Sequence, residues 1–568
     1  MNTKNQKPHI LLVLFIAFLI LSLAGCEAAK LPLTTPIPER DAQTLPNTGS
    51  PALPRANPEP PAQSPEPLNP GAEVSAAESL ADGGSQIFLP VTITPGAPSG
   101  ATDNSTFYVS TEGSDGKGDG SPQKPWATIS HALSKVPDGS LIYVAPGLYK
   151  GQVEIHRDFE EGVVLRSEIP YAARLRNNKP VLALFYGNGL TVEGFDISHI
   201  DEDADWYVIQ IQDSRHNDSG GQRITLRNNI IHDSYNNDLI KVNNGAGNVL
   251  IEGNIFYNQG GPEIDEHIDV NSVTDVTIQD NLFFNDFEGS GRENKNITGH
   301  FIMIKDSNGN SDKIEGSKNI KVQRNIFFNW QGRPGNSFVG IGDSSSVPFF
   351  QASNVLIENN LFLGNSDIKI HAVLKIIGGK DVIFRNNTIS GDLPANTYAV
   401  RLDTSNKDYR NNNIQFYNNI WCDQTGTMGA DVSGEENDFS DTPASVTESF
   451  TLFNNLYWNG GSDIPYDPEE QINYTNDENL RVDDPILFDD FKDLPLPIFN
   501  SETSLFADQF ATIREVFIFF AEKYGLPDIQ SPVIDTADRT NAPGDDLLGL
   551  PRNHGVGPDI GAMERRTP

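Results

Sequence analysis

The stretch "PEIDEHIDVNSV", residues 262–273, crowds Glu263, Asp265, Glu266, His267 and Asp269 around two isoleucines. Carboxylates at that density suit a hard divalent cation such as Ca2+, which takes about six to eight oxygen ligands. The candidate ligands are Asp238, Glu266, Asp269 and Asp265. A cation on a uronate carboxylate makes the C5 proton more acidic, so that a base removes it and the glycosidic oxygen leaves. Lys241 is the first candidate base, Lys305 the second and His267 the third. A lysine serves only when largely neutral, which nearby cations and desolvation promote, whereas histidine titrates near neutrality without help.

Residues so far apart in sequence meet only if the chain stacks them. The lines "VIQIQ", "LIKVN", "HIDVN", "FIMIK", "FVGIG", "VLKII" and "AVRLD" align as one strand of successive coils. Neighbouring strands lie about 4.8 Å apart, and side chains alternate in and out. Ile240, Val242, Ile268, Val270, Ile302 and Ile304 then point inward, and the outward column runs Gln210, Lys241, Asp269, Met303, Gly340, Lys375, Arg401. Two positions on, Gln212, Asn243, Asn271 and Lys305 form a second column, while Asp238, Glu266 and His300 stack before the strand. Asn243 and Asn271, with Tyr235 and Trp330 among the aromatics Trp206, Tyr207 and Phe350, are candidate sugar contacts. The same pattern also describes the ordinary wet side of a solenoid, where a Lys241 to Asp269 pair is worth about 0–1 kcal/mol.

The coils announce themselves through a repeat. "RITLRNNIIHDS", "NVLIEGNIFYNQ", "DVTIQDNLFFND", "NIKVQRNIFFNW", "NVLIENNLFLGN", "DVIFRNNTISGD", "NIQFYNNIWCDQ" and "FTLFNNLYWNGG" share a strand, an asparagine and a second short strand. Asn229, Asn254, Asn281, Asn325, Asn360, Asn387, Asn419 and Asn455 are equivalent, in steps of 25, 27, 44, 35, 27, 32 and 36 residues. A solenoid tolerates such insertions, because extra residues loop out of one coil without disturbing the next. The asparagine is expected to take the left-handed bend itself and to bond to its equivalents above and below. The fold class is therefore all-β, a column of parallel coils.

The formal charge of -36 over 568 residues disfavours nucleic acid as a partner, with repulsion screened beyond about 10 Å. Residues 1–25 carry two lysines and the run "PHILLVLFIAFLILSLAG" before Cys26, which looks like a lipoprotein signal peptide cut before a lipidated cysteine. Residues 26–104, rich in Pro, Ala, Ser and Glu, read as a disordered tether. The expected place is the outside of a bacterial membrane, with the chain held as a lipid-anchored monomer. Cys422 then lacks a disulfide partner and is expected to be a buried apolar residue.

Order begins at 105 with a Gly/Asp loop, a helix expected near Trp126, a strand and a "PG" turn, and the β-helix is expected to run to 460. In 461–568, Leu505, Phe506, Phe510, Ile513, Val516, Phe517 and Phe520 keep helical spacing, as for a helix packed on the last coils. The "PW.TI..A" and "PG.Y" segments and the closing "GVGPDIGAMERR" resemble the ends of secreted proteins of the pectate-lyase-like superfamily. That resemblance implies a right-handed parallel β-helix with an N-terminal capping helix and a C-terminal cap. The acidic cluster beside outward lysines resembles the Ca2+-dependent polysaccharide lyases of that superfamily, which implies β-elimination on a uronate-containing glycan. The alternatives are a surface module that only binds glycan or protein, and a glycoside hydrolase or epimerase on the same fold.

Overall fold

The computed structural model describes residues 105–213, 220–309, 312–429, 438–491, 494–552 and 554–566. The expected leader, Cys26 and the tether lie outside the described residues. From Thr106 onward, alternating apolar residues build short strands that stack coil on coil into three parallel sheets, two of twelve strands and one of ten. The architecture is a right-handed parallel β-helix. Inward positions are fully buried, as at Ile240, Val242, Ile268, Val270, Ile302 and Ile304. Phe256, Phe283, Phe327 and Phe362 continue the stacking inside, with ring centroids 4.7 to 4.9 Å apart.

The asparagine ladder is continuous. Asn281 accepts from the backbone and side-chain amides of Asn254 at 2.9 and 3.1 Å, and donates to Asn325 Oδ1 at 3.0 Å and to the Ile251 carbonyl at 2.9 Å. The pattern repeats to Asn455, where the Asp477 carboxylate takes the next place and accepts from Asn455 Nδ2 at 2.7 Å. One expectation is corrected. The left-handed residue is not the ladder asparagine but the one before it: Asn228, Gly253, Asp280, Arg324, Asn359, Asn386, Asn418 or Asn454. The bend is taken one step earlier, which leaves the following side chain aimed down the ladder.

The first coil is covered by the helix Ile129–Lys135, which buries Ile129, Ala132 and Leu133. It starts after Trp126, because Thr128 caps it by accepting from the His131 amide, while Trp126 stacks on Phe107 at 5.3 Å. At the other end, Ile464, Ile472, Tyr474 and Asp477 close the last coil. The later helix is shorter than its spacing predicts. Thr512 and Glu515 form a capping box that starts Ile513–Phe520, whereas Leu505–Phe506 pairs as a strand with Phe499–Asn500. It also packs elsewhere. Phe520 meets Phe328 at 4.8 Å, and the cluster includes Ile230, Ile255, Leu282, Ile326 and Leu361, the apolar outer face of the middle coils. Cys422 is a free, buried thiol, as expected.

Candidate metal and proton-transfer site

The ten-stranded sheet carries the site. Its strands Ile240–Asn243, Ile268–Asn271 and Ile302–Lys305 pair in the register read from the sequence: Lys241 opposite Asp269, Asp269 opposite Met303, and Asn271 opposite Lys305. Before these strands, the Asp238 carboxylate accepts from the Glu266 amide at 2.8 Å, and Leu239 N–H donates to the Glu266 carbonyl. Adjacent coils therefore hold Asp238 beside Glu266, and Asp265 joins them from the turn. Ligand atoms of Asp238, Asp265 and Glu266 all lie within 4.8 Å of one another.

Asp269 stands apart from that trio. Its Oδ2 receives the ammonium groups of Lys241, in a short contact, and of Lys305 at 3.3 Å. Its Oδ1 is buried and, among the described residues, without a hydrogen-bond partner. Lys241 also lies 3.9 Å from Asp238, and Lys305 lies 3.7 Å from Asp343. Among the described residues, no basic side chain comes within 4.0 Å of Asp265 or Glu266.

The electrostatics follow from this division. Burial, and then the neighbouring carboxylates Asp269 and Glu266, push the Asp238 carboxyl well above its usual range against the pull of Lys241. Burial and Asp269 raise Asp265 to about 6, and burial and Asp269 raise Glu266 to about 7. Asp269 goes the other way: burial opposes its charge, but Lys241 and Lys305 outweigh that and hold it ionised. Burial likewise works against both lysines, and Asp269 outweighs it, so both stay protonated. Three crowded carboxyl groups, raised in spite of the pull of Lys241 and Lys305 and next to a buried orphan carboxylate oxygen, fit a hard oxygen-seeking cation. Asp238, Asp265 and Glu266 are the residues that would hold Ca2+, and Asp269 is foremost the counter-ion of the two lysines.

Other expected residues are placed differently. His267 shares the parity of Asp269, yet its ring is fully buried, stacked 4.5 Å from Phe301, with Nε2 at 3.1 Å from Asn285 Oδ1. Burial lowers it to about 3, and a group sealed in the core cannot take a substrate proton, so His267 is not a base here. Trp330 is 1% exposed, packed against Phe301 and Phe338 with its indole N–H on the Lys369 carbonyl, and offers no surface to a sugar. Both residues lie just outside a strand, His267 ahead of Ile268 and Trp330 beyond Phe327, where strand alternation no longer says which way a side chain points. Asn271 and Asn243 are engaged by the loop after Lys305, one coil on from Asn271 and two from Asn243: Asn271 bonds to Ser307 at 2.9 Å and Asn243 to Asn308 at 3.0 Å. Tyr235 lies under the Arg292 guanidinium at 4.1 Å and lines a cavity of 480 Å³ with Glu202, Pro262 and Lys295. Tyr207 reaches Lys241 at 5.9 Å, beside the exposed Trp206. Asp343 is the neighbour that sequence reading missed. It follows Gly342, whose positive φ of 74° ends the strand and hides where the next side chain goes.

No family model matches the sequence, and no curated protein does. Among solved structures, the complex of XylC with xylose is similar over 81% of this chain and 99% of its own, at 12% identity and a TM-score of 0.43. The GH136 lacto-N-biosidase from Eubacterium ramulus is similar over 66% of this chain and 67% of its own, at 10% identity and a TM-score of 0.46. The pectate lyase Pel9A is similar over 82% of this chain and 98% of its own, at 12% identity and a TM-score of 0.40.

Proposed function

We propose that this protein cleaves a uronate-containing polysaccharide by β-elimination that depends on Ca2+. The observation that carries this reading is the trio Asp238, Asp265 and Glu266, within 4.8 Å of one another on the face that also presents Lys241 and Lys305. Bound there, Ca2+ would neutralise a uronate carboxylate and acidify its C5 proton. Lys305 is the stronger candidate for base, a reversal of the order that sequence suggests. Its side chain is 15% exposed against 10% for Lys241, and it holds Asp269 less tightly. Asp269 positions both amines, and Lys241 repels a second positive charge beside it. Lys305 must first give up the proton that Asp269 holds on it, which a cation bound at the trio would favour; the neutral amine then takes the C5 proton, the C5–H electrons form the C4=C5 double bond, and the C4–O bond breaks. The leaving oxygen is protonated by the other ammonium or by water. Tyr207 and Trp206 flank the patch as surfaces for a sugar ring.

The same reading places the protein outside a bacterial membrane, tethered through Cys26 and linked to it by residues 26–104. The test is incubation of the full chain with pectate, alginate and chondroitin, in Ca2+ or in EDTA, followed by the ultraviolet absorbance of unsaturated product. Product must appear only with Ca2+, and Lys305→Ala must abolish it while Ca2+ binding persists. A wild-type protein that yields no unsaturated product from any of the three polymers is a binding module instead.

A further inference from the structure

The outward column continues beyond the acidic patch. From Asp269 the register steps to Met303, Gly340, Lys375 and Arg401 on successive strands. Lys375 is thus three rungs from Asp269, about 14 Å along the sheet at the usual strand spacing. Between them the floor is low: Met303 is 5% exposed, and a side chain on Gly340 would run into the His300 ring at 3.0 Å.

Lys375 differs from the lysines of the patch. It is half-buried, and among the described residues it has no carboxylate within 4.0 Å and no hydrogen-bond partner, whereas Lys241 and Lys305 are both paired. Arg401, on the next rung, is held by Asp441 at 3.2 Å, by Asp403 at 3.4 Å and by His371 at 3.4 Å. Burial, and then Arg401, lower the Lys375 ammonium, while Asp403 and Asp343 pull the other way from beyond ion-pair distance. A partly desolvated ammonium without a close counter-ion is costly to keep. A ligand carboxylate would supply the missing partner.

We propose that Lys375, with Arg401 beside it, binds a second carboxylate of the same polymer, three rungs from the acidic patch, and so sets the direction in which the chain lies and favours chains long enough to reach it. This rests on the uronate reading above. One rung is close to the length that one pyranose adds to an extended chain, so an oligomer must span about four sugars to reach both places.

The test compares trimers and hexamers of galacturonate, mannuronate and guluronate with the full chain in Ca2+. For the oligomer that wild type cleaves, Lys375→Gln is expected to raise KM for the hexamer about tenfold or more with kcat unchanged, since a charge-assisted contact is lost. Cleavage of the trimer stays as in wild type, Lys375→Arg restores the hexamer, and Lys375→Glu weakens it further. Equal melting curves establish that each variant folds. If wild type cleaves the hexamer and Lys375→Gln matches it, or if trimer and hexamer suffer alike, this inference falls and the lyase reading stands. If wild type acts on no oligomer, this inference falls, and the assay on the three polymers decides the lyase reading separately.

Discussion

Glu266→Gln separates a metal site from a wet surface. Glu266 is 7% exposed, and its carboxyl is raised to about 7 from an ordinary 4.5, first by burial and then by Asp269. A group raised in the folded state contributes stability that is fully present below its unfolded value, here about 4.5, and lost as pH rises through its folded value, about 7. The difference corresponds to about 3 kcal/mol of strain in the metal-free protein at pH 8. Glutamine has nearly the same shape and cannot ionise, so the variant should unfold at higher urea than wild type in EDTA at pH 8. With Ca2+ the order should close or invert. Wild type gains about 2.7 kcal/mol at a hundredfold excess over Kd, and the variant gains less because it has lost a ligand. The measurement is the urea midpoint of each protein at pH 5 and pH 8, with Ca2+ or EDTA. A variant less stable than wild type in EDTA at pH 8, or equally stabilised by Ca2+, refutes the idea that crowded carboxylates wait there for a cation.

Three further outcomes are expected. Asn281→Ala leaves Asn325 Oδ1 on the Asn281 backbone amide but strands the buried Ile251 carbonyl, the Asn254 backbone N–H and one N–H of the Asn254 side chain, and at about 1–3 kcal/mol for each orphaned group it should cost at least about 3 kcal/mol in urea unfolding. His232 is buried between Asp196 at 2.8 Å and Asp233 at 2.7 Å; burial disfavours its charge, but the two carboxylates outweigh that and raise it to about 9. Its stabilisation is complete below about 6.5 and lost as pH rises through about 9, so wild type should lose stability across that interval while His232→Gln stays level. Metabolic labelling with palmitate should mark the wild-type chain in a bacterial host, and Cys26→Ala should abolish both the label and membrane retention; an unlabelled wild type would sink the anchor.

Much of the architecture was legible in the residues. The alternation that puts Ile240, Ile268 and Ile302 inside also puts Lys241, Asp269 and Met303 outside, and the strand pairing reproduces that column residue by residue. The asparagine template was equally plain, although the bend itself belongs to the residue before each asparagine. Legibility stopped where the chain left a strand. His267 is one residue ahead of Ile268, and Trp330 follows the strand Ile326–Phe327, so both lie just outside a strand, and both turn into the core. The helical spacing in 505–520 said that an apolar face needed covering but not which surface would cover it, and the middle coils supplied it.

What sequence alone determined is the repeating coil and the set of charges aligned along one outward column. Those follow from a local rule, a period of two within each strand, that every residue obeys without reference to distant ones. Only the tertiary structure decided how those charges are shared: Asp269 went to two lysines, Asp238, Asp265 and Glu266 were left facing one another, and Lys375 was left, among the described residues, with no carboxylate within 4.0 Å. The reason is that ion pairing depends on side-chain reach between coils and on burial, and neither is written in the spacing of a single strand.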